Sequence, residues 1–225
     1  MRRLVIVRPE PGASATVERA RTMGLDAAAM PLFEVEAVAW EVPDTHEFDA
    51  LLLTSANAVR RGGAGLAKLR DLPVLAVGEA TAAAARDAGF EVAGVGEGGV
   101  EQLLGAIPAD MRLLHLCGEH RLGTEAKQPI VAVPVYRASE RPLASDLRQI
   151  EGATVAVHSP RAGQRLAELV ESARIERGTV RIAAISEAAA TSAGTGWEMC
   201  IAADAPNEPA LLALAARLCD NPVTR

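Results

Sequence analysis

Short runs rich in valine, leucine and isoleucine alternate with alanine-rich stretches along the whole chain. Such runs suit strands buried on both faces, and alanine suits helices packed closely on them. Strands buried on both faces belong to parallel sheets, in which helices make the crossings. The alternation therefore predicts an α/β fold with a helix after each strand and helix ends near Gly24 and Gly89. The predicted strands are 4–7, 50–54, 74–77, 113–117, 155–158, 182–185 and 199–202.

The second half of the sequence repeats the first at a period of about 100 residues. FDALLLTSANAV corresponds to GATVAVHSPRAG, and VLAVGEATAAAA corresponds to IAAISEAAATSA. MPLFEV corresponds to VPVYRA, which places Pro31 over Pro134 and Phe33 over Tyr136. A repeat of this length indicates two domain-sized units rather than a solenoid.

Charge and composition exclude several classes of partner. The net charge is −6 and no basic run is present, so neither nucleic acid nor an anionic membrane is expected as a partner. No apolar run approaches the roughly 18 residues of a membrane-spanning helix. Three cysteines without a CxxC pair fit reduced thiols in the cytoplasm. The four histidines lack metal-ligand spacing, so we expect no metal.

Small and hydroxyl-bearing residues follow the predicted strands. In open α/β sheets, ligands bind beyond the carboxyl ends of the strands, where helix N-terminal amides can receive an anion. Several such loops predict a ligand with more than one negative charge. We expect Thr81 to begin its helix, cap it and meet the ligand. The candidate binding residues are Arg8, Thr54, Ser55, Asn57, Gly78, Thr81, Gly118, Arg121, Ser159 and Ser186.

One loop offers a different reading. The stretch from Gly94 to Gly99 satisfies G-x-G-x-x-G after a strand-like run, and Glu119 stands where a ribose-binding acid would lie. This pattern keeps open a nucleotide-dependent oxidoreductase. Against that reading, the corresponding loop in the second half, residues 203–208, contains no glycine.

In this order, the segments after the strands resemble the uroporphyrinogen-III synthase family over almost the whole chain. The matching pieces are LVIVRPEPG, MPLFEVEAV, FDALLLTSANAV, LPVLAVGEATAAAARDAGFEV, LLHLCGEHR, VPVYRA, VAVHSPRAG, RIAAISEAAA and PNEPALLALAARL. Each piece alone is weak, but TSANAV, VGEATA and VPVYRA in this order are together specific. The resemblance implies two similar α/β domains, each a parallel sheet flanked by helices, joined by a two-stranded ladder with a cleft between them. The implied domains are 1–35 plus 139–225, and 36–138.

The resemblance also implies a reaction. The family converts hydroxymethylbilane, a linear tetrapyrrole with eight carboxylates, to uroporphyrinogen III with inversion of the terminal ring and loss of water. Positioning is the main task, and no cofactor is implied. Tyr136 stands at the family's tyrosine position and is the expected proton donor to the departing hydroxyl. Arginines are expected to offset the negative charge locally, namely Arg8, Arg121, Arg137 and Arg161. The enzyme is expected to be a cytoplasmic monomer in transient contact with the preceding pathway enzyme.

Two departures from the family pattern stand out. Ala188 and Ala189 replace a hydroxyl pair at a helix start, and the segment from Gly118 to Pro129 is short. These departures keep open a second alternative, a non-catalytic two-lobed ligand-binding module that has retained the fold and lost the chemistry.

Overall fold

The computed structural model describes residues 1–96, 99–120, 126–142 and 147–220. The strands are β1 Leu4–Ile6, β2 Ala27–Ala29, β3 Phe33–Ala37, β4 Ala50–Leu53, β5 Val74–Val77, β6 Val92–Gly96, β7 Leu113–Gly118, β8 Ile130–Glu140, β9 Thr154–Val157, β10 Arg181–Ala184 and β11 Met199–Ala202. The helices are α1 Gly12–Thr22, α2 Ala56–Arg61, α3 Glu79–Asp87, α4 Val100–Gly105, α5 Pro160–Ser172, α6 Glu187–Ala193 and α7 Glu208–Asp220. Short 3-10 turns lie at Thr45–Glu47, Gly63–Leu69, Leu147–Ile150 and Arg177–Thr179.

Residue contacts divide the chain into two compact units. Unit 1 comprises Met1–Glu34 and Glu140–Arg225, and unit 2 comprises Val35–Ser139. The chain passes from one unit to the other within β3 and returns within β8, which are hydrogen-bonded neighbours in one sheet. The predicted domains, 1–35 plus 139–225 and 36–138, stay a prediction about which parts of the chain fold independently.

Unit 1 contains a parallel sheet in the order β11-β10-β9-β1-β2. Leu4 and Ile6 of β1 pack with Ala156 of β9 against α1 and α7 in one apolar cluster. Helices α5 and α6 pack closely on each other. The strands are short and completely apolar at their centres because helices cover them.

Unit 2 contains a sheet in the order β3-β8-β7-β4-β5-β6, in which the pairs from β8 to β6 are parallel. Side chains of β4 point alternately to its two faces. Leu51 and Leu53 join a cluster with α2 and α3, and Leu52 joins a second cluster with Leu103 of α4. Both faces are therefore buried, as the apolar run at 50–54 predicted.

The two sheets have the same strand order. Strands β9, β10, β11, β1 and β2 of unit 1 correspond to β4, β5, β6, β7 and β8 of unit 2. The register agrees: Leu4 pairs with Thr154 and Ala27, and Leu113 pairs with Ala50 and Ile130. Phe33 lies six residues after Ala27, and Tyr136 lies six residues after Ile130. The duplication read from the sequence is thus confirmed at the level of strand register.

The α/β class and all seven predicted strands are confirmed, with bounds shifted by at most one residue at either end. Gly24 and Gly89 adopt φ angles of 82° and 84° just beyond α1 and α3, as expected of helix ends. The expectation of a helix after β7 falls mainly on residues 121–125, which lie outside the described part; residues 126–129 are not helical. Across the described residues, no helix combines the length and apolar character needed to cross a membrane.

Candidate functional site

The strand order changes direction at one place in each sheet, between β4 and β7 in unit 2 and between β9 and β1 in unit 1. In open α/β sheets, such a change of direction marks the place where a ligand-binding crevice opens at the carboxyl ends of the strands. Candidate residues lie at or just beyond the ends of these strands, namely Thr54, Ser55 and Gly118 in unit 2 and Arg8 and Ser159 in unit 1. Tyr136 of β8 is the ladder partner of Gly118.

Tyr136 packs directly on Gly118. The two residues are partners in the β7–β8 ladder, and the Tyr136 carbonyl accepts a hydrogen bond of 2.9 Å from the Glu119 N–H. A Cβ on Gly118 would lie 2.8 Å from Cε2 of the ring and 3.2 Å from the hydroxyl oxygen. The ring occupies the space that a side chain at 118 would need, so glycine is required for this ring position.

The Tyr136 hydroxyl lies near Ser55 and interacts with its side chain. Ser55 is the N-cap of α2, and its Oγ accepts the Asn57 N–H at 3.2 Å. Burial raises the pKa of the Tyr136 phenol above its usual 10, and the interaction with Ser55 opposes that shift. At neutral pH the residue is therefore a neutral phenol with a proton to give.

Thr54 and His115 form a pair beside this contact. The Thr54 Oγ1 and His115 Nε2 atoms are 3.1 Å apart, and His115 is buried. The pair ties the end of β4 to its neighbour β7 just before the turn that presents Ser55. Thr54 thus has a structural partner in addition to its candidate role as a binding residue.

The expectation that Thr81 begins and caps α3 is wrong. The N-cap is Gly78, which has a φ of 79° and no side chain with which to cap. The helix begins at Glu79, so Thr81 is its third residue and is buried on the inner face. The turn after β5 needs a positive φ, which glycine adopts at little cost, and this moves the helix start two residues earlier than expected.

Glycines of the G-x-G-x-x-G stretch have packing roles in β6. A Cβ on Gly96 would lie 2.8 Å from the Cβ of Leu103, and one on Gly94 would lie 3.1 Å from a methyl group of Leu75. Close approach of α4 and β5 therefore explains both residues. Glu97 and Gly98 of this stretch lie outside the described residues.

Arg8 lies at the start of α1 in unit 1. Its guanidinium is 3.5 Å from a carboxylate oxygen of Glu208 and 3.4 Å from the Thr16 hydroxyl. Glu208 also pairs with Arg19 at 2.5 Å. The pKa of Glu208 is lowered by these partners against the opposing effect of its burial. Arg8, expected to bind substrate, is thus already engaged with an acidic side chain.

His158 follows β9 and is a feature that the sequence did not single out. Both ring nitrogens are buried, and neither has a hydrogen-bond partner within the described structure. Burial, and next the charge of Arg8, lower its pKa from 6.5 to about 4.

Two further candidates are helix N-caps. The Oγ atoms of Ser159 and Ser186 cap α5 and α6 by accepting the N–H groups of Ala162 and Ala189, at 3.2 Å and 3.3 Å. Arg121 lies outside the described residues. Within the described ranges, no group of three or more His, Cys, Asp and Glu side chains could hold a metal ion.

Comparison with known proteins gives a family match. A family model described as uroporphyrinogen-III synthase HemD matches residues 14–213. The fold is similar to that of uroporphyrinogen-III synthetase from Helicobacter pylori, with 21% identity, a TM-score of 0.66, and coverage of 97% of this chain and 100% of that one. A mutant uroporphyrinogen III synthase from Thermus thermophilus is similar at 18% identity and a TM-score of 0.54, over 98% of this chain and 100% of the other. No curated protein sequence matches the chain.

Proposed function

This chain belongs to the uroporphyrinogen-III synthase family and cyclises hydroxymethylbilane to uroporphyrinogen III, and we propose that Tyr136 is the proton donor in that reaction. The observation that supports this role is the contact set of Tyr136 in unit 2. A half-buried phenol with a raised pKa is packed on Gly118 and interacts with Ser55 at the carboxyl end of the sheet.

The hydrogen bonds that Ser55 can make leave the proton of Tyr136 available to the substrate. A serine hydroxyl has two lone pairs and one proton, so Ser55 can accept the Asn57 N–H and still donate its own proton to the Tyr136 oxygen. The phenol then accepts from Ser55 and keeps its own proton for the substrate. Successive donors in such a chain polarise one another, which makes the last one a better acid.

The proposed step is as follows. The electron pair of the terminal pyrrole breaks the bond between the hydroxymethyl carbon and its oxygen, which forms an azafulvene. The proton of Tyr136 passes to the departing oxygen, and water leaves. Ring closure through the inverted, spiro arrangement then releases a proton from carbon, which restores the phenol, so the net change is loss of one water.

Binding of the substrate is proposed to use the loops at the strand ends. The eight carboxylates of hydroxymethylbilane need donors that stay fixed during the reaction, and the turns after the strands supply them, those at Ser55, Ser159 and Ser186 as capped helix N-termini. In unit 1 these are the turns at Arg8, Ser159 and Ser186. In unit 2 they are the turns at Thr54–Ser55–Asn57, Gly78 and Gly118, together with Arg121; Thr81 supports its turn from inside α3.

The test is the rate of cyclisation by two variants at Tyr136. Loss of a general acid costs about 10²–10⁴-fold, but the pyrrole already expels this leaving group, so we expect Tyr136→Phe to lose about 10²-fold or less. Tyr136→Ala should lose more, because Gly118 then faces a void. Full activity of Tyr136→Phe at all pH values together with a crippled Tyr136→Ala would show that the residue only shapes the site. Normal activity of both would remove Tyr136 from the site.

We further propose that the enzyme works in the cytoplasm as a monomer, with transient contact to the enzyme that makes its unstable substrate. Cys117, Cys200 and Cys219 are free thiols, which suits a reducing compartment. Light scattering after gel filtration should give the mass of one chain, and a dimer mass at micromolar concentration would contradict the proposal.

A further inference from the structure

The guanidinium of Arg161 lies over the ring of Phe33 in unit 1. Its guanidinium carbon is 4.5 Å from the centroid of the ring, and Phe33 is only 4% exposed. A cation at this distance from an aromatic face is attracted to it, and the stacked arrangement restricts the long side chain. The charge is therefore held in a defined place at the first turn of α5, beside the carboxyl end of β9.

This pair occupies the positions of the proposed acid site in the other unit. The register that aligns β9 with β4 places Ser159 over Ser55 and Arg161 over Asn57, and Phe33 takes the place of Tyr136. In each unit, the helix start after this strand lies beside an aromatic residue at the matching position. In unit 2 these positions bring together a phenol and a hydroxyl, whereas in unit 1 they bring together an apolar ring and a cation.

Arg161 also differs from other arginines of the chain in what its side chain contacts. Arg8 is paired with Glu208, and Arg137 is paired with Glu36 at 2.9 Å. Arg165, one turn further along α5, is paired with Glu140 at 2.9 Å. Within the described part of the chain, Arg161 has the Phe33 ring and no acidic partner. A guanidinium that is held in place and has no acidic partner can bind a carboxylate without first breaking an ion pair.

We propose that Arg161 binds a side-chain carboxylate of hydroxymethylbilane and that Phe33 is the positioning residue that holds it in place. This inference rests on the proposed function and deepens it by naming a residue that binds the substrate.

The experiment measures KM and kcat for hydroxymethylbilane and separates the type I and type III products in the same reactions. Loss of one charge-assisted hydrogen bond should raise KM about tenfold in Arg161→Gln, with kcat and the type III fraction nearly unchanged. Arg161→Lys keeps the charge but loses the planar stack, so it should recover part of the effect. Phe33→Leu should raise KM in the same direction, and Phe33→Tyr should not.

Arg165→Gln is the matched control, because it removes a neighbouring arginine of the same helix that is already paired; its KM should stay within twofold of the parent. An unchanged KM in Arg161→Gln, or a loss confined to kcat, would overturn the inference. Recovery of KM by Arg161→Lys distinguishes a binding role from a loss of folding. If the parent chain itself yields no type III product, the proposed function fails. If the parent yields it and Arg161→Gln binds normally, only this inference fails.

Discussion

Gly118 and Tyr136 depend on each other for their positions. The missing side chain at 118 leaves the space that the ring fills, and the ring places its hydroxyl beside Ser55. The sequence resemblance indicated both residues, but only the ladder pairing explains why they matter together. Contacts such as Tyr136 with Ser55, or Arg8 with Glu208, join residues far apart in sequence. No local pattern contains that information.

We expect Gly118→Ala to slow cyclisation by displacing the phenol. The new methyl group would lie 2.8 Å from the ring, so the ring must shift, at a cost of about 1–3 kcal/mol of stability. Kinetics of the single variants and of Gly118→Ala/Tyr136→Phe check the cause. If the alanine acts through the phenol, the double variant should be little slower than the slower single variant. Multiplication of the two effects would contradict that account.

His158 should make the stability of the protein depend on pH. Its folded pKa of about 4 lies below the unfolded value of 6.5, so the unfolded state binds the proton more tightly. The contribution of His158 to the free energy of unfolding should be fully present above pH 6.5. It should be lost as the pH drops toward 4, which lowers the free energy of unfolding by up to about 3 kcal/mol. Arg8, Arg19 and Glu208 face the ring and set this shift together with burial.

Denaturant unfolding between pH 4 and 7 measures this dependence. His158→Gln should remove most of the slope in that interval, whereas substitution of the exposed His46 by glutamine should leave it in place. Equal slopes in the parent and His158→Gln would show that other groups cause the dependence.

The starts of the helices show how far the sequence pattern predicts the bounds of secondary-structure elements. Ser55, Ser159 and Ser186 are N-caps, as hydroxyl residues directly before a helix usually are. At α3 the same reasoning selected Thr81, but the positive φ of Gly78 starts the helix earlier. The apolar runs did not predict β2, which consists of three alanines, or β3 and β8, in which polar and apolar residues mix. The family resemblance alone indicated β3 and β8, as a two-stranded ladder.

The packing of α5 on α6 depends on a single glycine. A Cβ on Gly163 would lie 2.6 Å from the carbonyl oxygen of Ala189 and 3.0 Å from the nitrogen of Ala193. Backbone atoms cannot rotate away, so Gly163→Ala should destabilise the protein by about 2–3 kcal/mol despite the better helix propensity of alanine. Thermal and denaturant unfolding measure the loss. Gly105→Ala is the control, because no atom lies within 4 Å of its new methyl group; equal stability of both variants would contradict tight packing.

At the scale of the whole molecule, the sequence predicted the parallel α/β class and the duplication, because buried strands and repeated loops leave local signals. The division into units is different. β1 pairs with β9, about 150 residues away, and repeated segments alone favour a simple cut near Asp110. Only the family resemblance indicated a discontinuous first domain. The contact-defined units place β1 and β2 with the C-terminal part of the chain.

The isomer of the product tests the central claim most directly, which is that orientation by this fold sets the product while Tyr136 sets the rate. Hydroxymethylbilane, generated freshly and consumed completely by the parent chain or by Tyr136→Phe, is oxidised and separated into type I and type III porphyrins. The account predicts mainly type III from both proteins, with slower consumption by Tyr136→Phe. Type I as the sole product of the parent chain would contradict the account.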